Sequence, residues 1–515
     1  LTAGQAVEIK YTLETKNIGL LNDKNLHFDS NHPMPVPGEP SFALLWNDYL
    51  PSLKKELSLK IPQNIPLYAV RQRLPDNLLI TEDTDGSQKT THLAIEATLD
   101  PIPFETYQPA PQNLAPLTAF TLNKSWGEAL IYYRSRVKQL VESDTTFMND
   151  FVSDAAGNTG SPLLDRLSRV KNLVHQKVDW VDTGLPVYLN PDRSLREIVN
   201  SGKGTSHDMA VLLTAALKAA RIDAQVYLFR QSTSGDLVPD LPALSQMDGV
   251  LVGVPIGKEM IWMDPTEPLA SPGSLPLPAL DRDALAVFMP FNWKTTPSFS
   301  AKDHRKERDV TMTIAKDGKL TCTVDIQAFG TADLALRQFF RAADDDKRKS
   351  LVAKGLAKRF PGAVLTDYTF GNYEDLTQPL AVNYTFEVPH YAQFNKKGLA
   401  FYPLVFDDIE DFFETLRDNR KTPVVIPQNF NSITRVMVKL PRGYHPDELP
   451  PDATVTNDVA EFFSTSKIDF GTLSYERYVG LKKRVIDPGK NYQDLLSFYQ
   501  SVLSQDRVPF KAVKK

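Results

Sequence analysis

The chain has 515 residues, of which 58 are Lys or Arg and 63 are Asp or Glu, so its formal net charge is −5. This balance argues against a nucleic-acid-binding protein, and no apolar run approaches the roughly 20 residues that a membrane-spanning helix needs. The hydrophobic content of 42% and the charged content of 23% are typical of globular domains, and the length predicts about three of them.

The N-terminal region, residues 1–120, alternates apolar and polar residues in short runs that turn residues separate. The first run, AVEIKYTLETK, places its apolar side chains on one face, at Val7, Ile9, Tyr11 and Leu13. This period of two predicts strands, and the region as a whole is predicted to be a β-sandwich. We expect the domain to begin before Leu1, because the first strand has no preceding partner. A chain that opens without Met is also expected to be a processed product, which is compatible with a removed signal peptide.

The second region, residues 121–300, is predicted to contain helices followed by strands. Ser125 and Glu128 have the spacing of a capping box at the start of an amphipathic helix. Further helices are predicted in LLDRLSRVKNLVHQKVDWV, in SLREIVN and from Asp208 to Ala220. Three apolar, β-rich runs follow, at residues 224–230, 248–256 and 259–264. Helices followed by an antiparallel set of strands predict an α+β domain.

The third region, residues 301–515, returns to strand-like alternation and is predicted to be a β-rich domain with helices. Two alternating runs around the turn KDGK predict a hairpin, in which Cys322 is expected to be a buried apolar residue. As the single cysteine, it excludes an intrachain disulfide. Helices are predicted at about 332–358, within 405–421, and in YQDLLSFYQSVLSQDRVPF near the C-terminus.

The segment GKGTSHD, residues 202–208, places a small polar residue, Ser206, at the start of a long apolar helix. Nucleophiles often occupy this position, but neighbours in sequence at a helix start do not face each other, so Ser206, His207 and Asp208 do not form a triad among themselves. We expect Ser206 to cap the helix, His207 to lie on the surface, and Asp208 to face the helix dipole. The apolar residues of the helix are predicted to be core, at Met209, Leu212, Leu213, Ala216, Leu217 and Ala220.

Two segments, NSGKGTSHDMAVLLTAALKAARIDAQVYLF and IWMDPT, resemble bacterial transglutaminase-like proteins. In that superfamily a papain-like core places a Cys at the helix start, a His on a following strand and an Asp on the next. Here Ser206 falls on the Cys position, Gly249 on the His position and Asp264 on the Asp position. The likeness extends to the flanking regions, which resemble the domains of unknown function around such cores. It implies a multidomain α+β protein: a transglutaminase-like core at 121–300 between β-sandwich-type domains at 1–120 and 301–515.

The resemblance implies a catalytically inactive protein that binds a peptide or protein partner, such as a cell-envelope component. A serine hydroxyl is a poor nucleophile without a base, and Gly249 supplies none. Asp264 is then expected to bond backbone amides in the turn before Pro265. One alternative is an active amidohydrolase or acyl transferase in which Ser206 is an engineered replacement and another side chain is the base. Another is an envelope adhesion or glycan-binding protein that uses its β-sandwiches.

No cofactor or metal is predicted. The sequence has neither a P-loop nor a dinucleotide-binding fingerprint, and no two His residues have metal-ligand spacing. Relatives of this architecture are usually bacterial and exported, so the resemblance implies the periplasm or cell envelope, with the cytoplasm left open.

Overall fold

The computed structural model describes most of the chain, in ranges that begin at Thr12. The described residues are 12–15, 26–29, 41–47, 49, 55–95, 99–157, 160–184, 186–189, 193–396, 398–402, 404–406, 409–428 and 430–514. They form two compact units, and the first contains the described residues up to Phe104 together with Pro109–Pro268 and Asp281–Thr296. The second contains Glu105–Gln108, Leu269–Leu280 and the described residues from Pro297 onwards. Helices and sheets occur in both, which confirms the predicted multidomain α+β class.

The first part of unit 1 is built almost entirely of antiparallel strands. Its elements are β1 (Thr12–Thr15), β2 (Leu26–Asp29), β3 (Ser41–Leu45), β4 (Lys55–Pro62), β5 (Tyr68–Gln72), β6 (Leu78–Asp85), β7 (Gln88–Ile95), α1 (Pro111–Leu114) and β8 (Leu117–Thr121). One sheet has the order β1-β2-β4-β7-β6 and the other β3-β8-β5. Leu44, Leu57, Leu93 and Phe120 come from both sheets and share one buried core, which confirms the predicted β-sandwich. Val7, Ile9 and Tyr11 lie outside the described residues.

The second part of unit 1 contains helices and a five-stranded antiparallel sheet with the order β13-β12-β11-β14-β15. Its elements are α2 (Trp126–Val141), α3 (Thr145–Val152), α4 (Leu163–Lys177), β9 (Asp179–Trp180), α5 (Leu195–Ser201), β10 (Lys203–Gly204), α6 (Ser206–Ala219), β11 (Gln225–Phe229), β12 (Gly249–Ile256), β13 (Glu259–Met263), β14 (Asp283–Ala286) and β15 (Trp293–Thr295). The predicted cap of α2 is present, because Ser125 accepts a hydrogen bond from the Glu128 amide. Helix α3 was not predicted.

Helix α6 is buried on nearly every side. The predicted core positions from Met209 to Leu217 have no exposed surface, and Ala220 is only 3% exposed. A helix that is apolar around its whole circumference belongs in the interior of a domain. In unit 1 it packs against the helices α2, α3, α4 and α5 and the strands β11 and β12. It begins at Ser206, two residues before the predicted start.

Unit 2 is centred on an eight-stranded sheet with the order β18-β19-β17-β16-β23-β27-β26-β25. Its elements are β16 (Arg305–Ile314), β17 (Leu320–Phe329), α7 (Thr331–Phe340), α8 (Asp345–Arg359), β18 (Val364–Gly371), β19 (Ala381–Val388), β20 (Gln393–Phe394), β21 (Gly398–Phe401), α9 (Ile409–Phe413), β22 (Val424–Val425), β23 (Ser432–Lys439), β24 (Tyr444–Pro446), β25 (Ala453–Thr456), β26 (Ala460–Asp469), β27 (Thr472–Leu481), β28 (Val485–Ile486), α10 (Lys490–Asp506) and β29 (Phe510–Lys514). The hairpin β16–β17 and the helix α10 confirm two predicted elements.

Two predicted helices of unit 2 are shorter than expected. The helix predicted at 332–358 is two helices, because Asp344 caps α8 by accepting a hydrogen bond from the Lys347 amide. The helix within 405–421 is limited to α9, after which Thr415 and Leu416 form tighter turn bonds to carbonyls three residues back. Cys322 is fully buried in β17, as predicted, and burial raises the pKa of its thiol. The division into domains at residues 120 and 300 stays a prediction.

Candidate functional site

The start of α6 is fixed by a reciprocal pair of hydrogen bonds between Thr205 and Asp208. The Thr205 hydroxyl accepts from the Asp208 amide at 3.2 Å, and Asp208 Oδ2 accepts from the Thr205 amide at 3.0 Å. The predicted cap was therefore wrong: Thr205 caps the helix, and Ser206 is its first helical residue. The spacing Thr205-x-x-Asp208 is that of a capping box, with Asp in place of the usual Glu, so the sequence contained this signal.

Asp208 has a larger role than the predicted interaction with the helix dipole. Its side chain is fully buried, and Arg193 Nη1 lies 3.1 Å from its Oδ2. Arg193 also donates to the Lys203 carbonyl at 2.9 Å. A buried carboxylate needs such a charged partner, because its desolvation is otherwise unfavourable by several kcal/mol. Arg193 thereby ties the turn at 203–205 to the segment before α5, and no sequence motif marks this residue.

His207 is fully buried, so its predicted surface position was wrong. Its ring lies edge-on to Tyr133 of α2, with 5.6 Å between the ring centroids, and its Nδ1 is 3.3 Å from the Tyr133 hydroxyl. The residue lies on the face of α6 that packs against α2, which is why it is in the core. The imidazole next to Ser206 in sequence therefore makes a structural contact with another helix.

The Ser206 hydroxyl accepts a hydrogen bond from the indole of Trp180, with 3.0 Å between Nε1 and Oγ. Trp180 lies on β9, which pairs in parallel with β10 immediately before the turn. Trp180 is 42% exposed and the following Val181 is 39% exposed. In the described part of the chain, no imidazole is within hydrogen-bonding distance of Ser206 Oγ. Sequence reasoning did not identify Trp180, because its contact with Ser206 depends on the pairing of β9 with β10.

Gly249, which falls on the His position of the resemblance, is the first residue of β12 and lies opposite Phe229 of β11. A Cβ added to Gly249 would be 2.9 Å from Cδ1 of Phe229 and still closer to Cε1 and Cζ of the same ring. Phe229 is 4% exposed, so its ring is confined by the surrounding core. The aromatic ring therefore occupies the space that any larger side chain at position 249 would need.

Asp264, which falls on the Asp position, is buried at the end of β13. Its Oδ1 accepts hydrogen bonds from the Thr266 amide at 2.8 Å and from the Thr266 hydroxyl at 2.7 Å. Bonds to backbone amides in the turn before Pro265 were expected, whereas the amide that Asp264 binds belongs to Thr266, which follows Pro265. Burial raises the pKa of Asp264, although the Thr266 hydrogen bonds and the positive charge of Lys171 favour its ionised form.

Lys171 brings a buried ammonium group close to Asp264. It lies on α4, is 1% exposed, and donates from Nζ to the Glu267 carbonyl at 2.5 Å. Burial lowers the pKa of Lys171 to about 8, against the stabilising charges of Asp264 and Glu267. The carboxylate at the Asp position thus interacts electrostatically with an ammonium. A signal for this existed, because Lys171 interrupts the apolar face formed by Leu167, Val170 and Val174.

The three aligned positions are occupied by the hydroxyl of Ser206, by Gly249, over which an aromatic ring is packed, and by the carboxylate of Asp264, which lies near an ammonium group. A general base must lie within about 3.2 Å of the proton that it removes, directly or through one water.

In the described residues, no group of three or more His, Cys, Asp or Glu side chains could hold a metal ion. No described helix is long and apolar enough to cross a membrane.

The capping assignment predicts effects of different size on the free energy of unfolding at two adjacent residues. Thr205→Ala should lower the free energy of unfolding by about 1 kcal/mol, because Asp208 loses the hydroxyl that accepts from its amide. Ser206→Ala should change it by less than about 0.5 kcal/mol, because its hydroxyl satisfies no helix amide. Urea unfolding of both variants measures the difference, and a larger loss for Ser206→Ala would contradict the assignment.

The buried ammonium predicts a specific dependence of stability on pH. Lys171 has a folded pKa of about 8 against an ordinary 10.5, so between these values the unfolded chain binds more protons. The free energy of unfolding should therefore rise with pH across this window, by on the order of 3 kcal/mol in total. Lys171→Met should remove the rise, and Lys177→Met, an exposed lysine on the same helix, should retain it. Urea unfolding at pH 7.5 and pH 10 tests this. An equal rise in the free energy of unfolding between these pH values in wild type and Lys171→Met would refute it.

The comparison with protein families and curated proteins gives one match of limited extent. The family model described as "Domain of Unknown Function with solved-structure structure (DUF3858)" matches residues 397–510, which lie in unit 2. No curated protein matches the chain.

The comparison with solved structures shows the fold. A crystal structure from Parabacteroides distasonis, described as a "putative protease", matches with a TM-score of 0.60 and 14% sequence identity, over 93% of this chain and 76% of that chain. A structure from Cytophaga hutchinsonii, described as a "putative cysteine protease", matches with a TM-score of 0.21 and 10% identity, over 44% of this chain and 74% of that one. The first shows that this chain has the fold of a protein described as a protease, in agreement with the protease-like core implied by the sequence.

Proposed function

We propose that this chain is a non-catalytic protein of transglutaminase-like and papain-like fold that binds a peptide or protein partner at the start of α6. The observation that carries the proposal is the ring of Phe229, which fills the space above Gly249. In a triad of this kind the imidazole takes the proton from the nucleophile and the carboxylate orients the imidazole. A glycine under a buried aromatic ring supplies no such group.

The other two aligned positions support the same proposal. Ser206 Oγ accepts a hydrogen bond from Trp180, and such a bond lowers the basicity of the oxygen. Asp264 accepts hydrogen bonds from Thr266 and is attracted by the positive charge of Lys171. Each residue therefore has a role in local structure that does not depend on a catalytic imidazole.

Binding is supported by the surface next to Ser206. Trp180 is a large aromatic residue with 42% of its surface exposed, and Val181 beside it is 39% exposed. Tryptophan is enriched among the residues that dominate protein interfaces, since it offers a wide apolar face and one donor. The resemblance places the nucleophile of an active relative at this end of the helix, so we place the partner there. Export to the periplasm or cell envelope stays a prediction.

Removal of the exposed indole should weaken peptide binding. A random decapeptide array probed with the folded protein should select sequences whose affinity falls by at least about tenfold in Trp180→Ala, a loss of 1.4 kcal/mol or more. Trp293→Ala is the matched control, because Trp293 is 37% exposed in the same unit. Equal binding by wild type and Trp180→Ala would contradict this placement of the partner.

Restoring the aligned residues one at a time tests the proposed inactivity. Ser206→Cys alone should not hydrolyse amides, and addition of Gly249→His should not help, because the ring of Phe229 obstructs the new side chain. A triple variant that also carries Phe229→Ala gives the imidazole room, and its thiol should react with iodoacetamide at pH 6.5 at least about ten times faster than that of the single variant.

The control for this series is the same triple variant with Ala at position 206, which has no thiol at the site. Circular dichroism establishes that each variant is folded. Amide hydrolysis by Ser206→Cys alone would contradict the proposal and favour the alternative in which another side chain is the base.

A further inference from the structure

A cavity in unit 1 lies at the other end of α6 from Ser206. It has a volume of about 760 Å³ and is formed by the C-terminal halves of α2 and α6, the segment 223–225 and the loop at 288–289. Lys218, which lines it, follows Ser206 by twelve positions on α6. At 1.5 Å per residue this places the two about 18 Å apart along the helix axis. The cavity is therefore separate from the candidate site described above.

Two cations that line this cavity are positioned by aromatic rings. The guanidinium carbon of Arg134 lies 5.2 Å from the ring centroid of Phe291, and Lys218 Nζ lies 5.5 Å from that of Phe288. The loop that carries these rings is fixed to β11, because the Phe288 amide donates to Gln225 Oε1 at 3.2 Å. In the described part of the chain, neither cation is within ion-pair distance of a carboxylate. Their charges are thus available to a ligand.

The helix dipole does not explain this arrangement. Lys138 and Lys218 lie in the last turns of α2 and α6, where a cation is favourable in any protein. Arg134 lies in the middle of α2, outside the reach of the dipole's negative end, and shares the face of Lys138 at i, i+4 spacing. Lys138 has a carboxylate nearby, at 3.9 Å in Glu142, so the unpaired positive charge comes from Arg134 and Lys218.

The neutral and acidic side chains that line the cavity indicate which groups the ligand carries besides its negative charge. Ser135, Gln139, Gln225 and Asp223 line the same cavity and offer hydroxyl, amide and carboxylate groups. Amides and carboxylates that face the same space as cations suit a molecule with many hydroxyl groups and one anionic group. An inorganic anion would leave most of the volume empty, since ligand pockets of 300–1,000 Å³ generally enclose molecules of about drug size.

We propose that this cavity binds a carboxylated sugar, with the carboxylate between Arg134 and Lys218 and the hydroxyl groups on the neutral and acidic side chains. The guanidinium presents a planar pair of donors that matches a carboxylate, while the ammonium adds a point charge. Glu142 and Asp223 accept from sugar hydroxyls, so they select against ligands that carry several negative charges at that end.

The test compares cellobiouronate, a disaccharide with one carboxylate, with cellobiose, its neutral counterpart, by isothermal titration calorimetry on the full chain. Cellobiouronate should bind at least about ten times more tightly than cellobiose, and Arg134→Gln and Lys218→Gln should each weaken its binding by at least about tenfold. Lys177→Gln, a change of an exposed last-turn lysine on α4, is the matched control and should leave the affinity unchanged.

Three results would overturn the proposal. The first is equal affinity for cellobiouronate in wild type, Arg134→Gln and Lys218→Gln. The second is displacement of cellobiouronate by sodium phosphate at equal concentration, which would make the cavity a general anion site. The third is tighter binding of triglutamate, which would assign the cavity to acidic peptides.

Discussion

The structure of unit 1 depends on the burial of α6, because this helix is apolar on almost every side and the helices and sheet of the core pack around it. Its first turn is therefore constrained. The capping pair of Thr205 and Asp208 satisfies two backbone amides, and Arg193 neutralises the buried carboxylate. Such a rigid helix start holds whatever side chain occupies position 206 in a defined place, which is what a nucleophile would need.

At the three positions that the resemblance aligns with a catalytic triad, unit 1 has residues that make structural contacts. Phe229 packs over Gly249, and Asp264 bonds Thr266 beside the ammonium of Lys171. The helix start keeps its capping bonds although no described imidazole lies within hydrogen-bonding distance of Ser206 Oγ. Trp180 and Val181 expose an apolar surface beside it.

Local patterns predicted the elements of the fold well. The alternation of apolar and polar residues predicted the strands of the sandwich and the hairpin β16–β17. The periodic apolar residues of α6 predicted that this helix lies in the core. Pairings over long distances were not predictable. The basic partner of Asp208, Arg193, lies 15 residues before it, and that of Asp264, Lys171, lies 93 residues before it. The contact of Phe229 with Gly249 depends on strand register. His207 was misplaced because its burial depends on where α2 packs.

A double-mutant cycle at positions 249 and 229 tests the central claim most directly. Gly249→Ala adds one methyl group, which in wild type should meet the Phe229 ring and lower the free energy of unfolding by about 1–3 kcal/mol. In the Phe229→Ala background the methyl group has room, so the same change should have an effect of less than about 0.5 kcal/mol. Equal effects in the two backgrounds would show that the ring does not fill the space above Gly249 and would contradict the account.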